Sequence, residues 1–258
     1  QPDLAATLER IIRYGKDGFY KGETSKIVTA FMEAHKGLIT SEDMASYQSV
    51  TRSPVTGTYR GYKIISMAPP SSGGVALIQL LNILENADIR NMGHNSAEYV
   101  HYLTEAMRRV YSDRSEYLGD PDFFNVPLNK LLSKNYAKKL FLQIDTAATL
   151  SKMVKPGLVN FNESLETTHY SVIDSRGNAV SVTTTINSGY GAKVVVEGAG
   201  FFLNNEMDDF SAKPGVPNQF GLLGSEANSI QPGKRMLSSM TPTIVLKDDK
   251  PFLIVGSP

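Results

Sequence analysis

Apolar residues fall at helical spacing through most of the first half of the chain and at strand-like spacing after residue 166, with a polar gap between. Helical spacing covers residues 4–14 and 23–35, the second pattern ending at Gly37, and Thr40 with Asp43 has the spacing of a capping box for a short helix. Residues 55–59 and 62–67 read as two strands paired around Arg60 and Gly61. A Pro/Ser/Gly punctuation at 69–74 leads into GVALIQLLNIL (74–84). Gln79 and Asn82 interrupt that run, which is far shorter than the roughly 20 residues of a membrane span, so it is predicted as a core helix. A long amphipathic helix over 96–117 and one or two more over 127–144 complete this half.

Residues 145–166 lose the periodicity, carry Pro156 and Gly157, and have the composition of an exposed linker. That linker divides the chain into a mostly helical portion, 1–166, and a β-rich portion, 167–258. Beyond it, 168–174 and 178–186 alternate as strands, 200–203 is a third apolar run, and 242–247 and 251–255 are two last strands. Residues 204–235 are rich in Gly, Pro, Asn and Asp without periodicity, and a loop of that length is usually functional or disordered.

The turn at 174–178 suits a three-residue hairpin loop with Gly177 in the left-handed position. Asp174 then opposes Asn178, which sets Thr167 opposite Thr185 and puts both on one face. By the period-two rule Thr183, Thr185 and Asn187 share that face, while Val180, Val182 and Ile186 line the other, mainly apolar one. Threonines on a strand need no function, because threonine favours strands. Position adds something: Thr167 directly follows an exposed linker, where a peptide bond is cut without disturbing a core. A threonine released there gains its own α-amine, whose pKa of about 7.7 to 8.0 makes it a base at physiological pH. Nucleophile and base then sit on one residue, and Thr185 can hold the Thr167 hydroxyl in one rotamer.

Composition narrows the alternatives. Lys plus Arg and Asp plus Glu are equal at 26 each, so no global field favours nucleic acid or an anionic membrane. There is no cysteine, hence no disulfide, thiolate zinc site or cysteine nucleophile. His35, His94, His101 and His169 lack ligand spacing, and no metal is expected. The G-x-S-x-G elbow, the P-loop, G-x-G-x-x-G and H-E-x-x-H are all absent. Both ends read as interior positions of a longer chain.

Several blocks in order carry a family resemblance: PPSSGG (69–74), TTHYSV (167–172), NNEMDDFS (204–211), KPGVPN (213–218) and LSSM (237–240). Together they resemble γ-glutamyltransferase, also called γ-glutamyltranspeptidase, of the bacterial type. The resemblance implies an α+β fold, a four-layer αββα sandwich of the N-terminal-nucleophile hydrolase type, of which this chain is an incomplete portion. It implies a precursor that cuts itself between Glu166 and Thr167 into a large and a small subunit. It also implies an enzyme that takes the γ-glutamyl group of glutathione or related donors onto Thr167 and passes it to water or an amino acid, without a cofactor. Relatives are commonly periplasmic or secreted.

Carried over by motif, Thr185 supports the nucleophile and Asn187 helps hold the glutamyl end. Glu206 and Asp209 receive the donor's α-ammonium, while Ser238 and Ser239 bind its α-carboxylate; a zwitterion needs such anionic acceptors on one side and hydroxyl donors on the other. Phe220 stands where many bacterial members carry a lid tyrosine, and Met236 and Ser225-Glu226 are smaller departures. Gly73 and Gly74 read as structural, and Ser71 and Ser72 receive no catalytic role. The family's carboxylate-binding arginine falls upstream of Gln1 and its oxyanion-hole glycines after Pro258, so the 258 residues alone are expected neither to process nor to turn over efficiently. Two other readings keep part of this picture: a related β-lactam side-chain acylase or capsule depolymerase, or an unprocessed binding or scaffold protein.

Overall fold

The computed structural model describes residues 1–154, 167–219 and 221–257. It divides into two compact units, Gln1–Arg52 with Ile186–Asn205, and Ser53–Thr185 with Glu206–Pro258. Each unit draws on both the 1–166 and the 167–258 portions of the chain. Glu166 and Phe220 lie outside the described residues, as does most of the second half of the proposed linker.

The first unit carries α1 (Pro2–Tyr14), α2 (Asp17–Tyr20), α3 (Gly22–Ala34) and α4 (Ser41–Ser46). The capping box forms as the spacing predicts: Thr40 N donates to Asp43 Oδ2 at 2.8 Å and Asp43 N to Thr40 Oγ1 at 3.2 Å. Helix α2 had no sequence signal, and it is seated close because Gly18 leaves no side chain against the Arg10 carbonyl. Val28, Met32 and Met44 form a buried cluster with Val196 and Ala199, and the Phe19 and Phe201 rings stand 5.4 Å apart beside it. The third strand expected at 200–203 is not formed; a single bridge, Val195 to Phe202, stands in its place. Gly198 and Gly200, at φ 77° and 75°, fold the chain tightly there, and Gly200 abuts the backbone of Leu4, so no ladder can extend.

The second unit is built on an antiparallel sheet of order β1-β2-β5-β6, with β1 (Val55–Tyr59), β2 (Tyr62–Ser66), β5 (Thr243–Lys247) and β6 (Lys250–Val255). Helix α5 (Gly73–Leu84) packs on it through Val75 and Ile78 against Val55, Ile64 and Val245. The other helices are α6 (Ala97–Tyr117), α7 (Leu128–Leu131) and α8 (Lys134–Phe141). Ile83, Ala106, Val110 and Ala137 bury a second cluster between α5, α6 and α8. Buried Asp113 adds a polar tie, receiving hydrogen bonds from Gln79 Nε2 at 2.5 Å and Tyr136 Oη at 3.0 Å.

A separate hairpin, β3 (Thr168–Ile173) with β4 (Ala179–Thr184), has the predicted register, Thr168 facing Thr184 and Ile173 facing Ala179. Its turn is closed by Asp174, whose Oδ1 accepts from Arg176 N and Asn178 N at 2.9 Å, with Gly177 at φ 85°. The hydroxyl face is the one that docks: Ser171 Oγ donates to Ile254 O, Ser181 Oγ to Val255 O, and Thr243 N to Ser181 Oγ, each at 3.1 Å. The apolar face stays open, with Tyr170, Val172 and Val180 all about half exposed (51%, 53% and 51%). The polar row is thus drawn in by strand carbonyls that need donors.

Along α6, Glu105 is 2% exposed and accepts from Arg109 Nη1 and Arg108 Nη1 at 2.6 Å, and from Thr149 Oγ1 at 2.6 Å. Arg109 also donates to Gln143 O and Arg108 to Ser151 Oγ, so the start of the expected linker is exposed but tied to α6. Burial alone pushes the Glu105 carboxyl up, and these donors overcome it, holding the pKa down at about 2. A depressed folded pKa gives stability that is complete above the unfolded value near 4.5 and lost as pH falls through about 2. Glu105→Gln, which also leaves two arginines uncompensated, should destabilise the protein at pH 7 by on the order of 3 kcal/mol. Unfolding of the full-length protein at a series of pH values should show the wild type losing that margin in acid, with the gap to the variant closing toward pH 2.

Candidate active site

Thr167 Oγ1 donates to Thr185 Oγ1 at 3.2 Å, one step beyond the last ladder pair of the β3–β4 hairpin. The register dictated by the turn therefore brings together the two hydroxyls that the sequence selected. Both residues are half-buried. Behind them His169 is occupied: Nδ1 pairs with Thr183 Oγ1 at 2.8 Å and Nε2 with Ser171 Oγ at 3.2 Å, and its ring packs on Gly256, where no side chain would fit. This histidine braces the hydroxyl row and does not meet Thr167. The other histidines are paired elsewhere, His35 Nδ1 with Phe31 O, His94 Nε2 with Asn95 Nδ2 and His101 Nε2 with Asp145 O. Among the described residues no group of three or more His, Asp or Glu could hold a metal ion.

Asn187 differs from its expected setting. It has φ 76°, and β4 ends at Thr184, so the period-two rule stops short of it and does not fix its face. It belongs to the first unit, is buried, and donates from Nδ2 to Asn205 O at 3.3 Å. Asn205 returns the hold: its N donates to Ile186 O, its Oδ1 accepts from Ser188 N at 3.0 Å, and its Nδ2 donates to Ser188 Oγ at 2.9 Å. The left-handed backbone at Asn187 is thereby clamped from a neighbour that carried no sequence signal of its own. Asparagine tolerates that conformation better than most residues.

The acidic and hydroxyl residues are positioned in the second unit. Glu206 and Asp209 begin and end a 3-10 turn, Glu206–Asp209. Burial raises the Glu206 carboxyl above its ordinary range, as expected for an acid withdrawn from water. Buried Asn228 joins this turn to the serine segment: its Nδ2 donates to Asp209 O at 2.7 Å, while its Oδ1 accepts from Leu237 N at 3.0 Å. A loop without hydrophobic periodicity is here ordered by side-chain to backbone bonds.

Ser238 and Ser239 are held from the other side by the PPSSGG segment. Ser72 N and Ser72 Oγ both donate to Ser238 O at 2.8 Å, Ser238 N donates to Pro70 O at 3.1 Å, and Ser71 Oγ donates to Met240 O at 2.7 Å. Ser71 and Ser238 form a parallel bridge. Gly73 is needed because a Cβ there would collide with Thr241 Oγ1 and come within 2.6 Å of Met240 O and 2.8 Å of Ser239 O. One residue of this cluster was missed by sequence reasoning. Arg114, 6% exposed on α6, donates from Nε to Ser72 Oγ and from Nη2 to Ser239 Oγ, both at 3.0 Å. The only sequence signal it gave was a cation on a helix that otherwise reads as packed.

The arrangement offers a pair of threonine hydroxyls, and in the same unit an acidic turn tied by Asn228 to a pair of serines. A family model for gamma-glutamyltranspeptidase matches residues 1–258. The glutathione hydrolase proenzyme of Escherichia coli (strain K12) is 52% identical over 259 residues, spanning 100% of this chain and 45% of that protein. The chain thus spans about half the length of the curated relatives it matches. The crystal structure of Helicobacter pylori gamma-glutamyltranspeptidase aligns at a TM-score of 0.59 and 51% identity, covering 61% of this chain and 45% of that one. That of cephalosporin acylase from Bacillus halodurans aligns at 0.78 and 26% identity, covering 98% of this chain and 43% of that one. The mixed α+β fold is accordingly that of the N-terminal-nucleophile hydrolases.

Gly73→Ala should force α5 and the serine segment apart. We expect a loss of about 1 to 3 kcal/mol, the range for overpacking a tight contact, seen as a lowered unfolding temperature. An unchanged melting curve would show that the segment yields without cost.

Proposed function

The chain belongs to the γ-glutamyltranspeptidase family, and from that premise we propose that the full-length protein is a γ-glutamyl transferase and hydrolase acting on glutathione and related amides. The observation that carries this reading is the Thr167–Thr185 hydroxyl pair at the start of the β3–β4 hairpin. Cleavage between Glu166 and Thr167 frees the α-amine. Thr167 Oγ1 then attacks the γ-carbonyl while its proton passes to that amine and on to the departing amine of the donor. Thr185 keeps the hydroxyl in its attacking rotamer. The γ-glutamyl ester that results is released by water or by an amino acid, so one hard amide cleavage becomes two easier steps.

The donor's zwitterionic head supplies the rest of the assignment. Glu206 and Asp209 take the α-ammonium, Ser238 and Ser239 the α-carboxylate, and Asn187 assists at the glutamyl end. The same residues favour a γ-glutamyl donor over the glutaryl group of an acylase substrate, because a glutaryl chain has no ammonium to attract to two acidic side chains. The 1–166 and 167–258 portions are the parts of the large and small subunits that this chain contributes. They stay joined after cleavage, supported by the β2–β5 ladder and by Val196 and Ala199 in the cluster with Val28 and Met32. Among the described residues no helix is long and apolar enough to cross a membrane; a periplasmic or secreted location rests on the family likeness.

Thr167→Ala in the full-length protein should abolish both self-cleavage and turnover. Mass spectrometry should find a fragment beginning at Thr167 in the wild type and an intact chain in the variant; a variant that still splits there refutes the assignment. Matched chromogenic amides should give faster release from γ-glutamyl than from glutaryl, and the reverse order would favour an acylase.

A further inference from the structure

We propose that Arg114 is a positioning residue for recognition of the donor's α-carboxylate, acting through Ser239; the inference rests on the γ-glutamyl donor reading above. A guanidinium carries five N–H donors and no acceptor, so its contact with Ser239 Oγ at 3.0 Å has one possible polarity. A serine hydroxyl has a single hydrogen. With a lone pair of Ser239 Oγ engaged by Arg114, that hydrogen is directed away from the guanidinium, and Ser239 is an exposed residue. The cation also strengthens the hydroxyl as a donor, since hydrogen bonds in a chain polarise one another. Ser239 is thereby prepared to donate to an anion before one arrives.

The rest of the guanidinium fixes the geometry. Its Nε donates to Ser72 Oγ, which in turn donates to Ser238 O, so one buried side chain sets the positions of both serines. The planar fork spans Ser72 and Ser239 together, which the compact ammonium of a lysine cannot do. Burial opposes the charge on Arg114 and draws its pKa down, while Tyr111 and the carboxylate of Asp209 support the charge. Asp209 is also one of the two acids assigned to the ammonium, so Arg114 lies within electrostatic reach of both halves of the zwitterion site. Its enclosure and its two serine partners make it a support for the site and not a direct contact of the substrate.

The test uses the full-length processed enzyme with two p-nitroanilides, γ-glutamyl and 4-aminobutyryl, the second being the same donor without its α-carboxylate. Arg114→Lys should raise KM for the γ-glutamyl amide roughly tenfold or more, about the loss of one charge-assisted bond. It should leave kcat little changed and the 4-aminobutyryl amide nearly unaffected. In a Ser239→Ala background the same substitution should have only the smaller effect that remains through Ser72 and Ser238, because the path through the Ser239 hydroxyl is already gone. Ser72→Ala, a milder change, should produce a smaller loss of the same selectivity, and it carries the test if the lysine variant fails to fold. Equal losses on both amides, or full additivity with Ser239→Ala, would overturn the positioning role while leaving the donor reading intact. A wild-type enzyme indifferent to the α-carboxylate would overturn the donor reading and this inference with it.

Discussion

The close approach of the first turn of α5 to the backbone of residues 238–240 governs the second unit. It exists because Gly73 has no side chain, and because Ser71 and Ser72 spend their donors on the carbonyls of Met240 and Ser238. Once that contact is made, the serine pair has a fixed height over the helix, Arg114 on α6 finds two hydroxyls within reach, and the chain leaves toward β5 in register with β2. Hydrogen bonds of this kind contribute only about a kilocalorie each in net stability, but leaving their buried partners unmade costs more. The contact therefore specifies an arrangement more than it adds to total stability. A PPSSGG segment that looked like punctuation between a strand and a helix is the seat on which the serine pair rests.

That seat also shows where the sequence was legible. Local rules succeeded wherever both partners were near in the chain: the Thr40 capping box, the Arg60-Gly61 hairpin, and the Asp174 to Asn178 turn whose register carried through to Thr167 and Thr185. They failed where partners were far apart. Ser72 and Ser238 are separated by 166 positions, and Arg114 and Ser239 by 125, distances at which no period or spacing marks a pair. The serines were found only through a family motif, and the arginine that organises them was not found at all. At residues 200–203 the apolar run forms no strand, because glycines with positive φ fold the chain into a compact turn that packs Phe201 and Leu203 against the first unit's cluster and leaves Phe202 exposed.

The partition of the chain bears on how a cut precursor would hold together. The first unit closes its core with residues from 186–205, and the second builds its sheet by pairing β2 with β5. Neither core is complete on one side of the Glu166–Thr167 junction. Hydrophobic clusters and a strand ladder do not depend on a covalent bond elsewhere in the chain, so breaking one linkage outside them leaves their burial energy in place. A protein of this construction can treat backbone cleavage as a chemical activation with little structural consequence.

The hydroxyl face of the hairpin gives a reason for a terminal amine as the base. Every polar side chain along the row is already committed: Ser171 and Ser181 to strand β6, Thr183 to His169, and Thr185 to Thr167 itself. His169 lies in the row, and both its nitrogens are taken by hydroxyls while its ring lies close against Gly256. Recruiting it as a base would mean giving up its bonds to Thr183 and Ser171 within the hairpin. The amine proposed at Thr167 avoids that conflict, because it would lie at the edge of the ladder, on the same residue as the proposed nucleophile, and take no donor or acceptor from the row. The constraint that fixes the hairpin thus favours a base supplied by the backbone.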